Sequence, residues 1–292
     1  MSLQLKPLHP LFAAEAGGID LARPLAADDV RAIDAAMNRY AVLVWRGQPL
    51  SQEEQVRLTG QFGRLDIGLK KVFKRKERLD YDELIDISNV GADGQVVARD
   101  AAKNLSNFAN MLWHSDSSFQ NPRAAYSMLS AVVLPSWGGN TEFADLRAAY
   151  DALPARTQSE IANLSAGHFA LHTRLLLGDT NYTEEQKRAI PPSVWPLVDT
   201  HRGSGRKVLF VGVHATHILG WPVPEGRTTL LDLLEHATQR AFVYAHQWQI
   251  GDLVMWDNRA VLHRGRRYDI SERRELRRTT IDDLPGENAP AA

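Results

Sequence analysis

Apolar residues recur along the first half of the chain at two different spacings. Between residues 28 and 40 they lie three or four positions apart, which predicts an amphipathic helix with acidic residues in its first turn. Ser51 and Glu54 have the spacing of a capping box, so a second helix is expected to follow and to reach about Phe62. A continuous apolar run predicts a buried strand at 41–45, and residues 84–88 and 124–133 are also expected to be strands. Pro154 is expected to split the helical residues within 145–164.

Strand patterns dominate the last third of the chain. A glycine turn at 203–205 separates two extended runs and predicts a hairpin. Short strands at close spacing, with the helices mostly outside them, are typical of an antiparallel sandwich or barrel. We therefore expect a mainly β fold with flanking helices, in one domain over 1–285 with a loose tail at 286–292. The elements behind this expectation are strands at 194–201, 207–213, 241–249, 253–257 and 275–281, with a leucine-rich helix at 224–238.

Composition excludes several classes of function but adds little to the prediction of the fold. There are 34 Lys and Arg residues against 35 Asp and Glu residues, so no net positive charge is available to hold nucleic-acid phosphates. The chain has no cysteine, which excludes disulfides, thiolate metal sites and cysteine nucleophiles. No apolar run approaches the roughly 20 residues needed to cross a bilayer, and the first residues lack a signal-peptide pattern. We expect a cytoplasmic protein without nucleic-acid or membrane partners.

A histidine and an aspartate two positions apart, His114 and Asp116, are the most specific local feature. On an extended chain residues i and i+2 face the same side, so the imidazole and the carboxylate converge. A second histidine would complete the two-histidine, one-carboxylate set of non-haem Fe(II) oxygenases. His263 is the best candidate, because it follows a predicted strand and turn and begins an arginine-rich run. Such a pair also occurs by chance, so it carries little weight alone.

Seven arginines lie between residues 264 and 278. If 273–280 is extended, Arg274 and Arg278 share a face about 13 Å apart, and they could bind two anions on either side of a metal. The other face, with Arg273, Glu275 and Arg277, alternates in charge and is expected to be exposed. A second basic run covers 70–78, and it is either a solvated loop or a lid that attracts acidic substrates.

Long stretches around these residues resemble the Fe(II)- and 2-oxoglutarate-dependent dioxygenases of the TauD/TfdA family. The family pattern is HxD, a threonine about 27 residues later, a distal histidine and an arginine about 11 residues beyond it. His114, Asp116, Thr141, His263 and Arg274 meet these spacings. The resemblance covers nearly the whole chain and includes NFANMLWHSDSSFQ, GGNTEFADLRAAYDALP and GDLVMWDNRAVLHRGRRYDISERRELRRTT.

The resemblance implies a double-stranded β-helix, or jelly roll, and a role for each matching residue. His114, Asp116 and His263 would be the catalytic Fe(II) ligands, and Thr141 and Arg274 would hold the far carboxylate of 2-oxoglutarate. Arg278 would receive the anionic group of a substrate. His201 would be either a second substrate donor or a structural residue, and Asn110 and Trp256 would shape the pocket or pack. Oxygen is the other cosubstrate, ascorbate the reductant used in vitro, and a homo-oligomer is expected.

Within the family, the resemblance implies hydroxylation of the carbon next to the ether oxygen of aryloxyacetates such as 2,4-dichlorophenoxyacetate. The products would be a phenol, glyoxylate, succinate and CO₂. The same chemistry on a phenoxypropionate, an indolyl acid, or taurine or another sulfonate is the alternative. Two other classes stay open. A jelly-roll protein that only binds small acids would be expected to lack a ligand. A zinc hydrolase would need neither Thr141 nor Arg274 and would be indifferent to oxygen.

Overall fold

The computed structural model describes residues 2–68, 78–180 and 182–284. The helices in these ranges are α1 (Ala27–Tyr40), α2 (Gln52–Gly60), α3 (Ala102–Phe108), α4 (Leu146–Asp151), α5 (Ala155–Ile161), α6 (His172–Leu176), α7 (Glu184–Ala189) and α8 (Val223–Ala237). The strands are β1 (Gln4–Pro7), β2 (Ala14–Gly17), β3 (Val42–Trp45), β4 (Ile85–Ser88), β5 (Ala124–Val133), β6 (Thr141–Asp145), β7 (Ser165–His168), β8 (Ser193–Pro196), β9 (Val198–Thr200), β10 (Lys207–Leu209), β11 (Ala215–Ile218), β12 (Val243–His246), β13 (Leu253–Asp257), β14 (Val261–Gly265) and β15 (Glu275–Asp282).

Seven strands form the largest sheet, in the order β1-β2-β3-β13-β5-β15-β4. Its neighbouring strands are antiparallel except β2 and β3, which are parallel. A second antiparallel sheet has the order β12-β6-β14, and β11-β7-β8 and β10-β9 form two smaller sheets. The described chain therefore consists of mixed sheets with flanking helices, as the strand-rich last third predicted.

The two faces of the central strand β13 pack against different layers. Leu253 and Met255 belong to a buried cluster with apolar residues of α1 and α2. Val254 and Trp256 point the other way and pack against Phe143 of the second sheet. Alternate residues of a strand face opposite sides, so β13 is buried on both. The large sheet is thus layered between helices and the second sheet, and the candidate residues Arg278 on β15 and His263 on β14 come from different sheets.

The helices predicted from the first half of the chain are confirmed. Helix α1 covers the predicted amphipathic segment. Ser51 and Glu54 form both hydrogen bonds of the capping box at the start of α2. Pro154 separates α4 from α5, where it is the last residue before α5 begins. None of the helices in the described ranges is long and apolar enough to cross a membrane.

The predicted strand at 194–201 is broken in the structure. Its first part, β8, pairs with β7, and only its last part, β9, forms the predicted hairpin with β10. Leu197 lies at the break and is fully buried. Its amide donates to the carbonyl of Leu164, and its carbonyl accepts from the amide of Phe210. The chain therefore passes from one small sheet to another at Leu197, which the apolar pattern alone does not reveal.

The prediction that the face with Arg273, Glu275 and Arg277 is exposed holds for Arg273 and is wrong for Glu275, and Arg277 is half-buried. Glu275 is buried, with Arg273 and Arg78 paired to its carboxylate. The guanidinium of Arg277 donates to the carbonyl of Leu50, just before α2. These charges are therefore satisfied partly within the segment, between Arg273 and Glu275, and partly by Arg78 and Leu50 from other parts of the chain. Most of the basic run at 70–78 and the predicted tail at 286–292 lie outside the described residues, and the single domain over 1–285 remains a prediction.

Candidate active site

The two predicted histidine ligands face each other across a short antiparallel bridge. The amide of His114 donates to the carbonyl of His263 at 3.0 Å, and the amide of His263 donates back to His114 at 2.8 Å. This pairing brings the imidazole ring centroids to 4.2 Å. One nitrogen of each histidine and one oxygen of Asp116 all lie within 4.8 Å of one another. The structure therefore brings together the three residues that the sequence nominated as metal ligands.

The protonation states of these residues suit metal binding. The Nδ1 of His114 lies 2.7 Å from the carbonyl oxygen of Leu112, which can only accept, so Nδ1 is the donor and Nε2 is left as a ligand atom. Burial lowers the pKa of both His114 and His263, which keeps the imidazoles neutral. Burial opposes ionisation of Asp116, but the charge of the nearby Arg278 guanidinium, helped by the hydrogen bond from Ser127, outweighs it and lowers the pKa of Asp116 to about 2. Neutral imidazoles and an ionised carboxylate are the forms that bind metal.

Arg278 contacts the ligand set directly. Its guanidinium forms an ion pair with Oδ1 of Asp116, while Ser127 Oγ donates to Oδ2 at 2.9 Å. The Nε of Arg278 is buried and has no hydrogen-bond partner. The sequence placed Arg278 near the metal on the substrate side, but it gave no indication of this ion pair.

Arg274 lies in an inner cavity of about 60 Å³ that His263 also lines. Its side chain is 7 % exposed, and within the described part of the chain no acidic side chain pairs with it. One terminal nitrogen donates to the carbonyl of Gly139 at 3.2 Å, the guanidinium lies 5.1 Å from the ring centroid of Tyr268, and Nε has no partner. Burial lowers the pKa of Arg274 to about 10. A buried cation without a counter-ion is costly, so the cavity is suited to an anion.

Thr141 lines the same inner cavity, at the start of β6. The indole Nε1 of Trp248 donates to its hydroxyl oxygen at 3.1 Å. An indole N–H can only donate, so the hydroxyl hydrogen of Thr141 remains free for an acceptor in the cavity. Thr141 and Arg274 together offer the donors that a carboxylate needs.

A larger cavity of about 600 Å³ adjoins the inner one, and Asp116 and His114 of the ligand set line it. His114, Asn110 and Arg278 line both cavities. Aromatic and apolar walls combined with cations are suited to an acidic ligand with an apolar body. The walls include Phe119, Ala170, Tyr182 and His214. Of the lining cations, Arg78 and Lys103 pair with Asp86, Arg278 pairs with Asp116, and Arg174 donates to Ser106 Oγ.

His201 does not line either cavity. It is buried, its Nδ1 lies 2.8 Å from Ser204 Oγ, and its Nε2 lies 2.9 Å from Asp257 Oδ2. Both ring nitrogens are therefore occupied, and of its two predicted roles the structure favours the structural one. Trp256 lines the inner cavity and is fully buried, with its ring 4.7 Å from that of His263.

Sequence reasoning missed the residues that hold the predicted ones in place. Trp248 reaches Thr141 only because β12 pairs with β6, and no local pattern indicates that pairing. Tyr268 lies inside the arginine-rich run, where a lone aromatic residue was a usable signal for a cation–π contact. Nothing in the sequence indicated a contact between Ser127 and Asp116, since Ser127 is one of two serines in a predicted buried strand.

Comparison with known proteins agrees with this geometry. The family model "Taurine catabolism dioxygenase TauD, TfdA family" matches residues 4–280. The chain is 62 % identical over 284 residues to the alpha-ketoglutarate-dependent 2,4-dichlorophenoxyacetate dioxygenase of Cupriavidus pinatubonensis, with 97 % of this chain and 99 % of that protein covered. It is 34 % identical to the (S)-phenoxypropionate/alpha-ketoglutarate-dioxygenase of Delftia acidovorans, with 92 % and 91 % covered.

A solved structure is similarly close. The crystal structure of AAD-2 in complex with Mn(II) and N-oxalylglycine superposes with a TM-score of 0.93 at 44 % identity, covering 97 % of this chain and 99 % of that one. The chain therefore belongs to the TauD/TfdA family of dioxygenases, as its motif spacings predicted.

Proposed function

We propose that the protein is an Fe(II)- and 2-oxoglutarate-dependent dioxygenase that hydroxylates the carbon next to the ether oxygen of aryloxyacetates such as 2,4-dichlorophenoxyacetate. The products are a phenol, glyoxylate, succinate and CO₂. The observation that carries the proposal is a complete ligand set, His114, Asp116 and His263, beside the unpaired buried cation Arg274. The 62 % identity to a 2,4-dichlorophenoxyacetate dioxygenase supports the substrate class. A jelly-roll core, a cytoplasmic location and a homo-oligomer are part of this proposal.

The ligand set fits Fe(II). Two neutral imidazoles and one carboxylate are the donors of the facial triad, which leaves three positions for other ligands. When bound, Fe(II) supplies the oxygen chemistry, with 2-oxoglutarate as the co-reductant. The protein's own contribution is to hold the ligands close together before the metal arrives, because the backbone bridge brings His114 and His263 side by side and the Leu112 carbonyl orients the His114 ring.

The inner cavity fits the far carboxylate of 2-oxoglutarate. Arg274 provides a planar cationic donor, and Thr141 provides a free hydroxyl hydrogen. The ring of Tyr268 against the guanidinium and the Gly139 carbonyl orient Arg274 without neutralising it. The cosubstrate therefore supplies the negative charge that the cavity lacks.

The outer cavity fits an aryloxyacetate. The guanidinium of Arg278 lines this cavity and would receive the substrate carboxylate, and Asn110 lies on the same wall. The apolar and aromatic walls then exclude water from the ring of the substrate. Arg278 contacts both Asp116 and this cavity, so it places an anion next to the metal position.

Succinate production by purified protein with Fe(II), ascorbate and 2-oxoglutarate tests the proposal. The assay is run in air and under argon, with 2,4-dichlorophenoxyacetate, both enantiomers of a phenoxypropionate, indole-3-acetate and taurine. We expect oxygen-dependent succinate that matches the phenol released from the phenoxyacetate. Succinate with taurine alone would overturn the substrate class and keep the reaction. Turnover that is equal under argon would overturn the reaction and favour a hydrolase.

A further inference from the structure

A buried asparagine, Asn258, lies in the turn between β13 and β14, where it contacts the backbone amide of Asp116 directly and the Asp116 carboxylate through Ser127. It is 1 % exposed. We propose that Asn258, acting with Ser127, is a positioning residue that fixes the orientation of the Asp116 carboxylate for metal binding. This inference rests on the proposed role of Asp116 as a metal ligand.

The orientation of the Asn258 amide is determined by two donors. Its Oδ1 lies 3.0 Å from the backbone nitrogen of Asp116 and 3.0 Å from the indole Nε1 of Trp256. Both groups can only donate, so the oxygen of the amide must face them. The NH₂ group is therefore turned to the opposite side, where it donates to Ser127 Oγ at 2.9 Å.

This donation in turn sets the direction of the Ser127 hydroxyl. Its oxygen accepts from Asn258, and its hydrogen is directed at Oδ2 of Asp116, which is 2.9 Å away and can only accept. Thr280 Oγ1, also 2.9 Å from Ser127, then donates to the second lone pair of that oxygen. Asp116 is thus held at its backbone amide and at one carboxylate oxygen by a single connected network.

The turn that carries Asn258 is itself fixed by buried contacts. The Asp257 carboxylate accepts from Arg259 at 2.8 Å and lies 2.9 Å from the ring of His201. The backbone carbonyl of Asn258 accepts from Ser115 Oγ at 2.5 Å. The contact with Ser115 ties the ligand motif to this turn directly. A rigid turn allows Asn258 to constrain Asp116, because a mobile amide could not select one carboxylate orientation.

Co(II) titration of the metal-free protein, followed by visible absorbance under argon, tests the proposal without turnover. Ser127→Ala removes the hydroxyl on Asp116, and Ser130→Ala is the matched control. Ser130 lies on the same strand and is buried, but its hydroxyl donates to Gln55. We expect Ser127→Ala to weaken Co(II) binding roughly 10-fold and Asn258→Ala roughly 10- to 100-fold. Ser130→Ala should bind as wild type.

A double variant separates a connected network from two independent contacts. We expect Ser127→Ala with Asn258→Ala to bind Co(II) within about 3-fold of Asn258→Ala alone, because the hydroxyl acts only when the amide orients it. The inference would be overturned if the double variant lost Co(II) affinity by the product of the two single losses. It would also be overturned if Ser127→Ala bound Co(II) as wild type does, at an unchanged unfolding midpoint. If Asn258→Ala does not fold, the comparison of Ser127→Ala with Ser130→Ala still decides. Wild-type Co(II) binding by Asp116→Ala would instead contradict the proposed metal site itself.

Discussion

Three arginines that lie within five residues of one another make three different kinds of contact. Arg274 is buried without an acidic partner in the described chain, Arg278 pairs with Asp116, and Arg277 donates to a backbone carbonyl. Strand periodicity predicted that Arg274 and Arg278 share a face, because it depends only on local geometry. It could not predict their partners, since Asp116 and Leu50 come from distant parts of the sequence.

Arg274→Gln should raise the KM for 2-oxoglutarate roughly 10- to 150-fold, the cost of losing a charged hydrogen bond in a buried site. Arg277→Gln is the control, because its guanidinium contacts Leu50 and does not line the cavity. Steady-state kinetics at saturating Fe(II) and substrate make the measurement. Equal increases in both variants would show that Arg274 does not bind the cosubstrate.

Arg278→Gln should raise the KM for aryloxyacetates at least about 10-fold while changing the KM for 2-oxoglutarate much less. The reason is that Arg278 lines the outer cavity as well as the inner one, where we propose that its guanidinium receives the substrate carboxylate. The kinetics are measured at saturating Fe(II), because Arg278 also pairs with Asp116. A parallel rise of both KM values would mean that the two arginine roles are misassigned.

Local signals predicted individual elements better than their pairing. The capping box, the helix α1 and the break at Pro154 are confirmed because each depends on residues within a few positions. Pairing depends on long-range contacts, so the sequence did not show that β12 joins β6 or that Leu197 divides a strand. The site depends on pairing too, since the bridge between His114 and His263 joins residues 149 positions apart in the sequence.

Ser51→Ala should lower the free energy of unfolding by about 1 kcal/mol, because it removes the N-cap of α2. Ser159→Ala is the control, because it removes a serine hydroxyl from another helix. Its hydroxyl donates to the carbonyl of Ala155 within a helix and caps nothing. Urea unfolding monitored by circular dichroism measures both. A loss as large in Ser159→Ala would show that the capping box is not the cause.

At the scale of the whole molecule, several histidines are buried between the layers. Because burial opposes their protonation, the free energy of unfolding depends on pH. His168 is 1 % exposed, and neither of its ring nitrogens has a hydrogen-bond partner. Burial, together with the charge of Arg123, lowers its pKa to about 3. The folded state therefore excludes a proton that the unfolded chain takes up below its ordinary pKa of 6.5. The stability from a neutral His168 is present above pH 6.5 and is lost as the pH falls toward 3.

His168→Leu should reduce the acid sensitivity of the metal-free protein. Between pH 7 and pH 5, the variant should lose roughly 2 kcal/mol less of its free energy of unfolding than the wild type. Buried histidines that do not interact with His168 contribute equally to both proteins and cancel in the comparison, whereas His214, whose pKa His168 lowers, does not cancel fully. Urea unfolding at the two pH values measures this difference, and equal losses would contradict the assignment.

The most direct test of the central claim is oxygen consumption by wild type and His263→Ala, with Fe(II), 2-oxoglutarate and 2,4-dichlorophenoxyacetate. His263 offers one of the three atoms of the proposed ligand set, and its backbone bridge to His114 does not need the imidazole. We predict that adding the phenoxyacetate starts oxygen uptake matched by succinate in the wild type. His263→Ala should show none, at an unchanged circular dichroism spectrum. Matched uptake by the folded variant would contradict the assignment of this site.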